Sequence, residues 1–529
     1  MSHYESWWNP HNDAAVDDQP ESSGTITTSS SSSFNFQPMQ PPAEREGESL
    51  PTRRVHILGL GSVGLLIAHA LKQMPNAPPI TLMMHRGDAY ETYKKTGRQV
   101  RLLDKASGVL DGQDGYDVDI KITSADGANS NTGSNVYWKY VAATEPQSPH
   151  PPLHPLQANE RLPSGETYIH CLILTVKAQA TVAALLDVKH RLNASSTICL
   201  MQNGLGQIDE INTHVFPDPA TRPTYLIGIL SHGCYSSGPF QVVHAGMGVT
   251  SLGICRDTDK HPLPPPELAD QPPSELSPQE QATYFPTDEQ LYDASLSARF
   301  LLRTLTRSTV LCAAAYPYLD LLMLQLEKLS ANAILNPLTA LFNVPNGAML
   351  GNHGLNIVQN MLVSETSLVF RSLPELQGVP NLRHRFSPQR LKELFVLISK
   401  KTALNSSSMR EDLRVQRPST EIDYINGYIV RRGQELGIPC ACHFMLMQML
   451  KARVQLDRQQ DADFVPFDTG KKVVGELDLA KLAATPPATA VDAGDKDGGG
   501  ATTAATTTDP PVVVEDRSAE KMPGKAVAP

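Results

Sequence analysis

Short apolar runs set the pattern of the first folded half of the chain. Runs of this length, separated by polar or glycine-containing segments, predict buried β-strands. They are Val55–Leu58, Ile80–Met84, Cys171–Val176, Ser196–Met201 and Tyr225–Leu230. A helical pattern, as in Leu65–Leu71, separates such runs. Strands that alternate with helices predict a doubly wound parallel sheet of the Rossmann type.

From about Leu311 the pattern changes to long apolar helices with few strand signals. The segment Leu321–Leu341 is apolar on almost every side, which is typical of a buried helix. The fold class predicted is therefore α/β followed by α. An N-terminal Rossmann-type, doubly wound parallel sheet precedes an all-α C-terminal domain.

A polar stripe interrupts this apolar helix. Lys328, Asn332 and Asn336 are four residues apart and, at ~100° per residue, fall within about 80° of arc. Burying one unpaired amide costs about 1–3 kcal/mol, so three polar groups in line indicate a ligand in a cleft between the domains. The alternative is that Lys328 reaches solvent while the two amides bond to neighbouring loops. Pro337 predicts that the helix ends or kinks there.

A second polar cluster comprises Asn405–Met409 and Pro418–Tyr424. Ser419 or Thr420 is predicted to cap a helix that ends before Gly437. Glu421 would then lie in the first turn, where the helix dipole stabilises a carboxylate. This capping role competes with a role in a ligand site.

Polar, Pro-, Ser- and Thr-rich stretches divide the chain. Residues 1–50 and 471–529 are predicted to be disordered tails, because they hold too little apolar surface to offset the entropy of ordering. Two similar stretches, near 124–164 and 256–286, are predicted to be surface insertions. The Rossmann domain then spans 51–310, and the helical substrate domain spans 311–460.

The strongest local motif is Gly59-Leu60-Gly61-Ser62-Val63-Gly64, which follows a predicted strand and opens a helix. In this context Gly59 allows a tight turn, Gly61 lets the backbone approach a pyrophosphate, and Gly64 lets the helix pack on the strand. The amides at the helix N-terminus would bind the phosphates. The motif predicts a dinucleotide site, against the alternative of an ordinary glycine turn.

The end of the second strand distinguishes the two nicotinamide cofactors. An NAD site places a carboxylate there to bind the ribose 2′-hydroxyl. This chain has His85-Arg86, and a guanidinium can pair with a 2′-phosphate. Arg86 therefore favours NADPH, although Asp88 keeps NAD open and a solvated surface arginine is the non-functional alternative.

Composition narrows the class of protein. The net charge of −10 over 529 residues argues against a nucleic-acid partner, and no apolar run approaches the ~20 residues that span a bilayer. The seven cysteines form neither a disulfide framework nor a metal knuckle, so no metal is expected. We expect a cytoplasmic protein; mitochondrial import stays open, although the acidic start does not resemble a presequence.

With these residues in view, the chain resembles the ketopantoate reductase (2-dehydropantoate 2-reductase) family over about residues 54–455. The resemblance lies in the following islands: Leu58–Gly64, Thr175–Gln179, Gln202–Gly206, Glu327–Ala340 and Ser407–Gly427. Between Ser408 and Glu421 the chain is one residue longer than the family pattern, around Arg417–Ser419. Ser407 is therefore the alternative to Ser408. The insertions and tails lie outside the pattern.

The resemblance implies a role for each matching residue. Lys328 matches a lysine general acid, and Glu421 matches the glutamate that pairs with it. Asn332 and Asn336 match asparagines that bind the substrate, and Ser408 matches a serine at the substrate carboxylate. The cofactor-binding residues implied by the glycine motif and by the resemblance are Gly59, Gly61, Ser62, Val63, Gly64, Arg86, Lys177 and Asn203.

The activity implied is the NADPH-dependent reduction of 2-dehydropantoate to pantoate, on the route to pantothenate and coenzyme A. One alternative is a reductase of the same fold that acts on a different 2-oxo acid, because a fold does not determine a substrate. The other is a non-catalytic NADPH-binding regulatory protein, against which the retained Lys, Asn, Asn, Ser and Glu argue. The partner expected is a small-molecule 2-oxo acid, and whether the chain forms a homodimer stays open.

Overall fold

The computed structural model describes residues 37–43, 53–123, 136–143, 156, 160–269 and 275–463. Within these ranges, the helices are too short or too polar to cross a membrane. Most of the two predicted tails, and much of the predicted insertion at 124–164, lie outside the described residues.

Thirteen strands form two sheets in the described part of the chain. In chain order they are β1 (Val55–Leu58), β2 (Ile80–Met84), β3 (Val100–Asp104), β4 (Leu110–Gln113), β5 (Asp117–Thr123), β6 (Val136–Val141), β7 (Cys171–Leu174), β8 (Thr197–Leu200), β9 (Thr224–Leu230), β10 (Gly233–Gly238), β11 (Gln241–Gly246), β12 (Thr250–Ile254) and β13 (Ala313–Ala315).

The larger sheet has nine strands in the order β13-β12-β9-β8-β7-β1-β2-β5-β6. The six central strands, β9 to β5 in this order, are parallel to their neighbours. Chain order reverses between β1 and β7, and ligands of doubly wound sheets bind at such a switch point. The predicted Rossmann-type sheet is confirmed, because the apolar runs are buried on both faces as a parallel sheet requires.

Antiparallel pairs occur toward both edges of this sheet. Strand β6 pairs antiparallel with β5, and β12 pairs antiparallel with β9. Strand β6 lies inside the segment predicted to be a surface insertion. Only one of its six residues is buried, so its sequence lacks the apolar run by which the other strands were found.

A second sheet has the order β10-β11-β3-β4 and is mostly antiparallel. Its inner face packs on the first helix of the fold, which carries an almost continuous buried face from Gly64 to Leu71. This helix therefore lies between the two sheets, with its N-terminus directed at the end of β1.

The helices of the described chain are α1 (Ser62–Lys72), α2 (Gly87–Lys95), α3 (Thr181–Leu186), α4 (Gln207–His214), α5 (Pro266–Ala269), α6 (Pro278–Tyr284), α7 (Asp288–Asp293), α8 (Leu296–Thr306), α9 (Tyr318–Phe342), α10 (His353–Arg371), α11 (Leu382–Arg385), α12 (Pro388–Lys401), α13 (Ser408–Arg414), α14 (Ile422–Glu435) and α15 (Ala441–Asp463). Helices α9 to α15 share one hydrophobic core, with α9 at its centre, which confirms the predicted α domain.

Helix α9 does not end at Pro337. It continues to Phe342, so of the two predicted alternatives, an end or a kink at the proline, the end is wrong. Pro337 cannot donate a backbone hydrogen bond to the Ala333 carbonyl. The side chain of Asn426, fully buried on α14, donates to that carbonyl instead at 2.8 Å. The missing bond is thus replaced from a neighbouring helix, which allows the polar stripe to stay in helical register.

Part of the predicted N-terminal tail is placed on the sheet. The Met39 amide donates to the Ala315 carbonyl at 2.8 Å, and Arg303 donates to the Pro42 carbonyl at 2.9 Å. Residues 37–43 therefore cover the edge strand β13, and the inclusion of these residues in a disordered tail is corrected. An unpaired edge strand would otherwise expose its backbone groups to pairing with another chain.

The replacement of the proline's missing hydrogen bond can be measured. Asn426→Ala should lower the free energy of unfolding by about 1–3 kcal/mol, because the Ala333 carbonyl is left buried without a donor. In a Pro337→Ala background, where the backbone N–H returns, the same change should cost less. Asn346→Ala is the matched control: this buried amide bonds to Thr402, away from the proline. Equal costs of Asn426→Ala in both backgrounds, by urea unfolding, would contradict this explanation.

Candidate active site

The glycine motif adopts the conformation that its sequence predicts. Gly59 has a φ of +108°, which favours glycine, and a Cβ there would overlap the backbone of Val176. A Cβ on Gly64 would overlap the Gly59 carbonyl and lie 2.7 Å from the Thr175 hydroxyl. A Cβ on Gly61 would meet nothing within 4 Å. Gly59 and Gly64 are thus needed for the fold itself, whereas Gly61 borders open space.

Helix α1 begins in that open space. Gly61 is its N-cap, and Ser62 and Val63 form its first turn. No side chain caps the helix, so its first amides are available to an anion. The bare N-terminus and the open space beside Gly61 fit a dinucleotide pyrophosphate.

Arg86 lies where the sequence predicted it, directly after β2. It is the N-cap of α2 and is exposed, with its Nε 3.5 Å from Asp88 Oδ1. A contact between two such exposed side chains is weak. The guanidinium is therefore free to turn toward a phosphate at the end of β2.

The stripe on α9 combines one ammonium and two amides. Lys328 is half-buried and donates to the Leu230 carbonyl at the end of β9, with 2.7 Å between the two atoms. Asn332 is half-buried and Asn336 is buried, yet neither side-chain amide bonds to another of the described residues. The stripe thus faces the ends of the sheet strands with two amides available for a ligand.

Burial lowers the pKa of Lys328 to about 8, while the Glu421 carboxylate and the Cys234 thiol act in the opposite direction. An amine with this pKa exchanges its proton close to neutral pH, as an acid or base in catalysis must. The Coulomb effect of Glu421 also shows that the carboxylate lies within electrostatic range of the ammonium.

The side chain of Glu421 does not cap a helix. Glu421 occupies the N-cap position of α14, where Ser419 or Thr420 was predicted, but its side chain makes no capping hydrogen bond. The buried carboxylate instead accepts from the Ala178 amide at 3.3 Å and lies 3.6 Å from Lys177 Nζ. Its direct cation partner is therefore Lys177, whereas the resemblance implied Lys328.

Lys177 follows β7 and makes a shorter ion pair with Asp412, at 2.9 Å. One ammonium from the sheet is thus shared by two carboxylates of the helical domain. Nearby, Gln179 donates to Ser419 at 3.1 Å across the same junction. These contacts hold the loop after β7 against the starts of α13 and α14.

Asn203, in the loop after β8, is half-buried beside the same junction. The next residue, Gly204, has a φ of +84°, and a Cβ there would lie 2.5 Å from the Tyr424 carbonyl. That carbonyl also accepts from the Leu205 amide at 2.8 Å. The loop is therefore fixed against α14, close to Glu421 in sequence.

The two serines of the third cluster play different parts. Ser407 is buried, caps α13 by accepting from the Arg410 amide, and shares a 2.7 Å hydrogen bond with Thr339 of α9. Ser408 is exposed at the start of α13. Ser407 is thus committed to holding α13 on α9, and of the two only Ser408 has an exposed side chain to offer a ligand.

Sequence reasoning missed three participants. Asp412 gave no signal, because its partner Lys177 is 235 residues away in the chain. Cys234 of β10 acts to raise the pKa of Lys328, but a single cysteine in a polar strand carries no motif. The Leu230 acceptor is a backbone carbonyl and has no residue signature.

The two predicted halves of the site lie at one edge of the larger sheet. The Lys328 ammonium contacts the carboxyl end of β9, and the glycine loop follows the carboxyl end of β1. Strands β9, β8, β7 and β1 are parallel neighbours, so these two ends lie at the same edge of the sheet. Within the described ranges, no group of three potential metal ligands is present.

Two family models match the chain. The one described as "Ketopantoate reductase PanE/ApbA" matches residues 120–257, and "Ketopantoate reductase PanE/ApbA C terminal" matches residues 320–454.

Curated relatives agree with these matches. A "Probable 2-dehydropantoate 2-reductase" of Schizosaccharomyces pombe is 27% identical over 55% of this chain and 75% of its own length. A 2-dehydropantoate 2-reductase of Escherichia coli is 28% identical over 53% of this chain and 73% of its own. A ketoisovalerate reductase of Gibberella fujikuroi is 25% identical over 77% and 85%. Among solved structures, a 2-dehydropantoate 2-reductase of Bacillus subtilis aligns with a TM-score of 0.45 at 20% identity, covering 76% of this chain and 99% of its own.

Proposed function

The chain belongs to the ketopantoate reductase family of oxidoreductases, and we propose that it reduces 2-dehydropantoate to pantoate with NADPH. The reaction would serve the synthesis of pantothenate and coenzyme A. The observation that carries the proposal is the position of Lys328. This half-buried ammonium lies in line with two available amides, at the edge of the parallel sheet from which the glycine loop also emerges.

The residues of the cleft suit the reduction of a 2-oxo acid. A reduced nicotinamide, when bound, would supply the hydride to C2. Lys328 would donate a proton to the oxygen on C2, and its ammonium would stabilise the charge that develops there. The Asn332 and Asn336 amides would bind the polar ends of the substrate, and Ser408 would bind its carboxylate. Catalysis and substrate orientation thus come from α9 and α13 together.

Arg86 supports NADPH as the cofactor. It is exposed at the end of β2, where the ribose of a dinucleotide bound at the glycine loop would lie. A guanidinium forms bidentate hydrogen bonds with a phosphate, which only the phosphorylated cofactor carries at the 2′ position. Asp88, two residues further on, is the exposed carboxylate that an NAD site would use instead.

2-Ketoisovalerate is the second candidate substrate. The ketoisovalerate reductase aligns with a larger share of this chain than the 2-dehydropantoate 2-reductases of S. pombe and E. coli cited above. 2-Ketoisovalerate lacks the terminal hydroxyl of 2-dehydropantoate. Two unpaired amides on one stripe favour the hydroxylated substrate, since a site built to bond a hydroxyl disfavours an analogue without it.

The choice between these substrates is testable with the purified wild-type chain. We expect kcat/KM for 2-dehydropantoate to exceed that for 2-ketoisovalerate by at least about tenfold, measured by the absorbance of NADPH. Asn336→Ala and Asn332→Ala, tested separately, should reduce that ratio in at least one case. A higher kcat/KM for 2-ketoisovalerate would make that compound the substrate in place of 2-dehydropantoate. If neither compound is turned over, the proposed reaction is refuted.

Lys328 should set the alkaline limit of the activity. Its folded pKa of about 8 lies below the usual lysine value, and a general acid must be protonated, so kcat/KM should fall as pH rises through about 8. Lys328→Ala should lower kcat by about 10²-fold or more and abolish this limb, while the Kd for NADPH changes little. Lys451→Ala, which removes a half-buried lysine paired with Asp423, is the control and should keep both the turnover and the alkaline limb. Equal losses of turnover and NADPH affinity would assign Lys328 a structural role.

Arg86 should determine the cofactor preference. Arg86→Ala should raise the KM for NADPH about tenfold while leaving the KM for NADH nearly unchanged, since only NADPH loses a charge-assisted contact. Asp88→Asn serves as the control for general disturbance of this turn. An unchanged ratio of the two KM values in Arg86→Ala would remove the 2′-phosphate assignment.

A further inference from the structure

We propose that Asp412 is a positioning residue of the reaction: by holding the Lys177 ammonium, it determines how much of the Glu421 charge is left to act on Lys328. The proposal deepens the proposed function and rests on it for the role of Lys328. Asp412 touches neither Lys328 nor the glycine loop in the contacts described, so its influence must pass through other residues.

Asp412 is a buried carboxylate with two cation partners. It is 5% exposed on α13, with Oδ2 2.9 Å from Lys177 Nζ and Oδ1 3.0 Å from Arg417 Nε. A buried carboxylate requires such partners, because an uncompensated charge in the interior is strongly destabilising. Arg417 is half exposed at the protein surface, whereas Lys177 points into the domain junction. Asp412 thus draws one cation from the sheet domain onto the helical domain.

Lys177 is divided unequally between two carboxylates. Its Nζ is 2.9 Å from Asp412 but 3.6 Å from Glu421 Oε2, which is beyond an ordinary hydrogen bond. Arg417 and Lys177 supply two positive charges, and Asp412 and Glu421 supply two negative ones. Since Asp412 holds the closer contact with Lys177 and all of Arg417, Glu421 is the carboxylate left incompletely neutralised.

Glu421 acts on Lys328 at one edge of the sheet. The Lys328 ammonium contacts the end of β9, which lies two strands from β7 in the sheet, and Lys177 follows β7. Glu421, at the N-cap of α14, and Cys234 of β10 both act to raise the pKa of Lys328. The hydrogen bond of the Lys328 ammonium goes to the neutral Leu230 carbonyl. Glu421 is therefore the anion that opposes the effect of burial on Lys328, and any change in the position of Lys177 changes that opposition.

Removing the Asp412 charge and removing the Lys177 charge should shift the pKa of Lys328 in opposite directions. Without the Asp412 charge, Lys177 would move fully onto Glu421 and neutralise it, and Lys328 would lose part of the field that keeps it protonated. Without the Lys177 ammonium, Glu421 would be less neutralised, and Lys328 would be easier to protonate. The two substitutions therefore change Lys328 in opposite directions, which a purely structural role of Asp412 would not produce.

The test measures the pKa of Lys328 without turnover. Full-length wild-type protein is labelled with trace acetic anhydride across a pH range, and labelling of the Lys328 peptide is quantified by mass spectrometry. Asp412→Asn should lower the pKa of Lys328 by about half a unit or more, and Lys177→Gln should raise it by a similar amount. Asp423→Asn is the matched control: this half-exposed carboxylate on α14 pairs with Lys451, and its loss should leave Lys328 unchanged.

The double variant decides whether Asp412 acts through Lys177. If it does, adding Asp412→Asn to Lys177→Gln produces no further downward shift. An equal downward shift in both backgrounds would mean that Asp412 acts by its own field and would overturn the proposal, as would no shift in Asp412→Asn. If Asp412→Asn does not fold, an unchanged pKa in Lys177→Gln overturns the proposal.

Activity is then measured separately. In the wild type, a lack of turnover with every 2-oxo acid refutes the proposed reaction, while the labelling result still decides the electrostatic link. Where turnover is found, the alkaline limb of kcat/KM should move with the labelling pKa, to lower pH in Asp412→Asn and to higher pH in Lys177→Gln. A limb that stays in place while the pKa moves would show that Asp412 does not position the acid of the reaction.

Discussion

The site depends on the need to pair charges that are buried where the sheet meets the helices. An ammonium from α9, an ammonium from the loop after β7 and two carboxylates from α13 and α14 all lie in one junction. None of them could be buried alone without a large loss of stability. The ion pairs of Lys177 with Asp412 and Glu421 therefore fix the loop after β7 against the helical domain.

The polar stripe requires helix α9 to stay regular across a proline. Lys328, Asn332 and Asn336 share one face only if the helix keeps its register, and Pro337 directly follows the last of them. The hydrogen bond from Asn426 to the Ala333 carbonyl compensates for the proline and joins α9 to α14, the helix that Glu421 precedes. One buried amide, that of Asn426, thereby links the geometry of the polar stripe to the position of the Glu421 carboxylate.

Much of the fold follows from local sequence, whereas most of the side-chain contacts within the candidate site do not. Strands β1, β7 and β8 were found because parallel strands buried on both faces leave continuous apolar runs. Strand β6 was missed because its residues are mostly half-exposed. The glycine motif was interpretable because its requirements are local: a positive φ at Gly59 and a close approach at Gly64.

Contacts between distant segments explain the remaining failures. A helix end at Pro337 was one of the two predicted alternatives, beside a kink, and it did not occur. The compensating Asn426 lies 93 residues beyond the carbonyl it reaches, so nothing in the local sequence indicated it. The stripe itself was predicted, since a helical period suffices to find it. The partner of Glu421 was not, because Lys177 comes from a distant segment of the chain that only the fold brings to Glu421.

Polar side chains of the helical domain fall into two groups, those with hydrogen-bond partners inside the domain and those without. Ser407, Thr339 and Asn426 satisfy their hydrogen bonds within the helical domain and hold its helices together. Asn332 and Asn336 occupy the same core helix, yet they bond to no other described residue. Leaving amides unpaired at a buried face is unfavourable unless a ligand completes them. The helical domain therefore places these unpaired amides on the same face of α9 as Lys328.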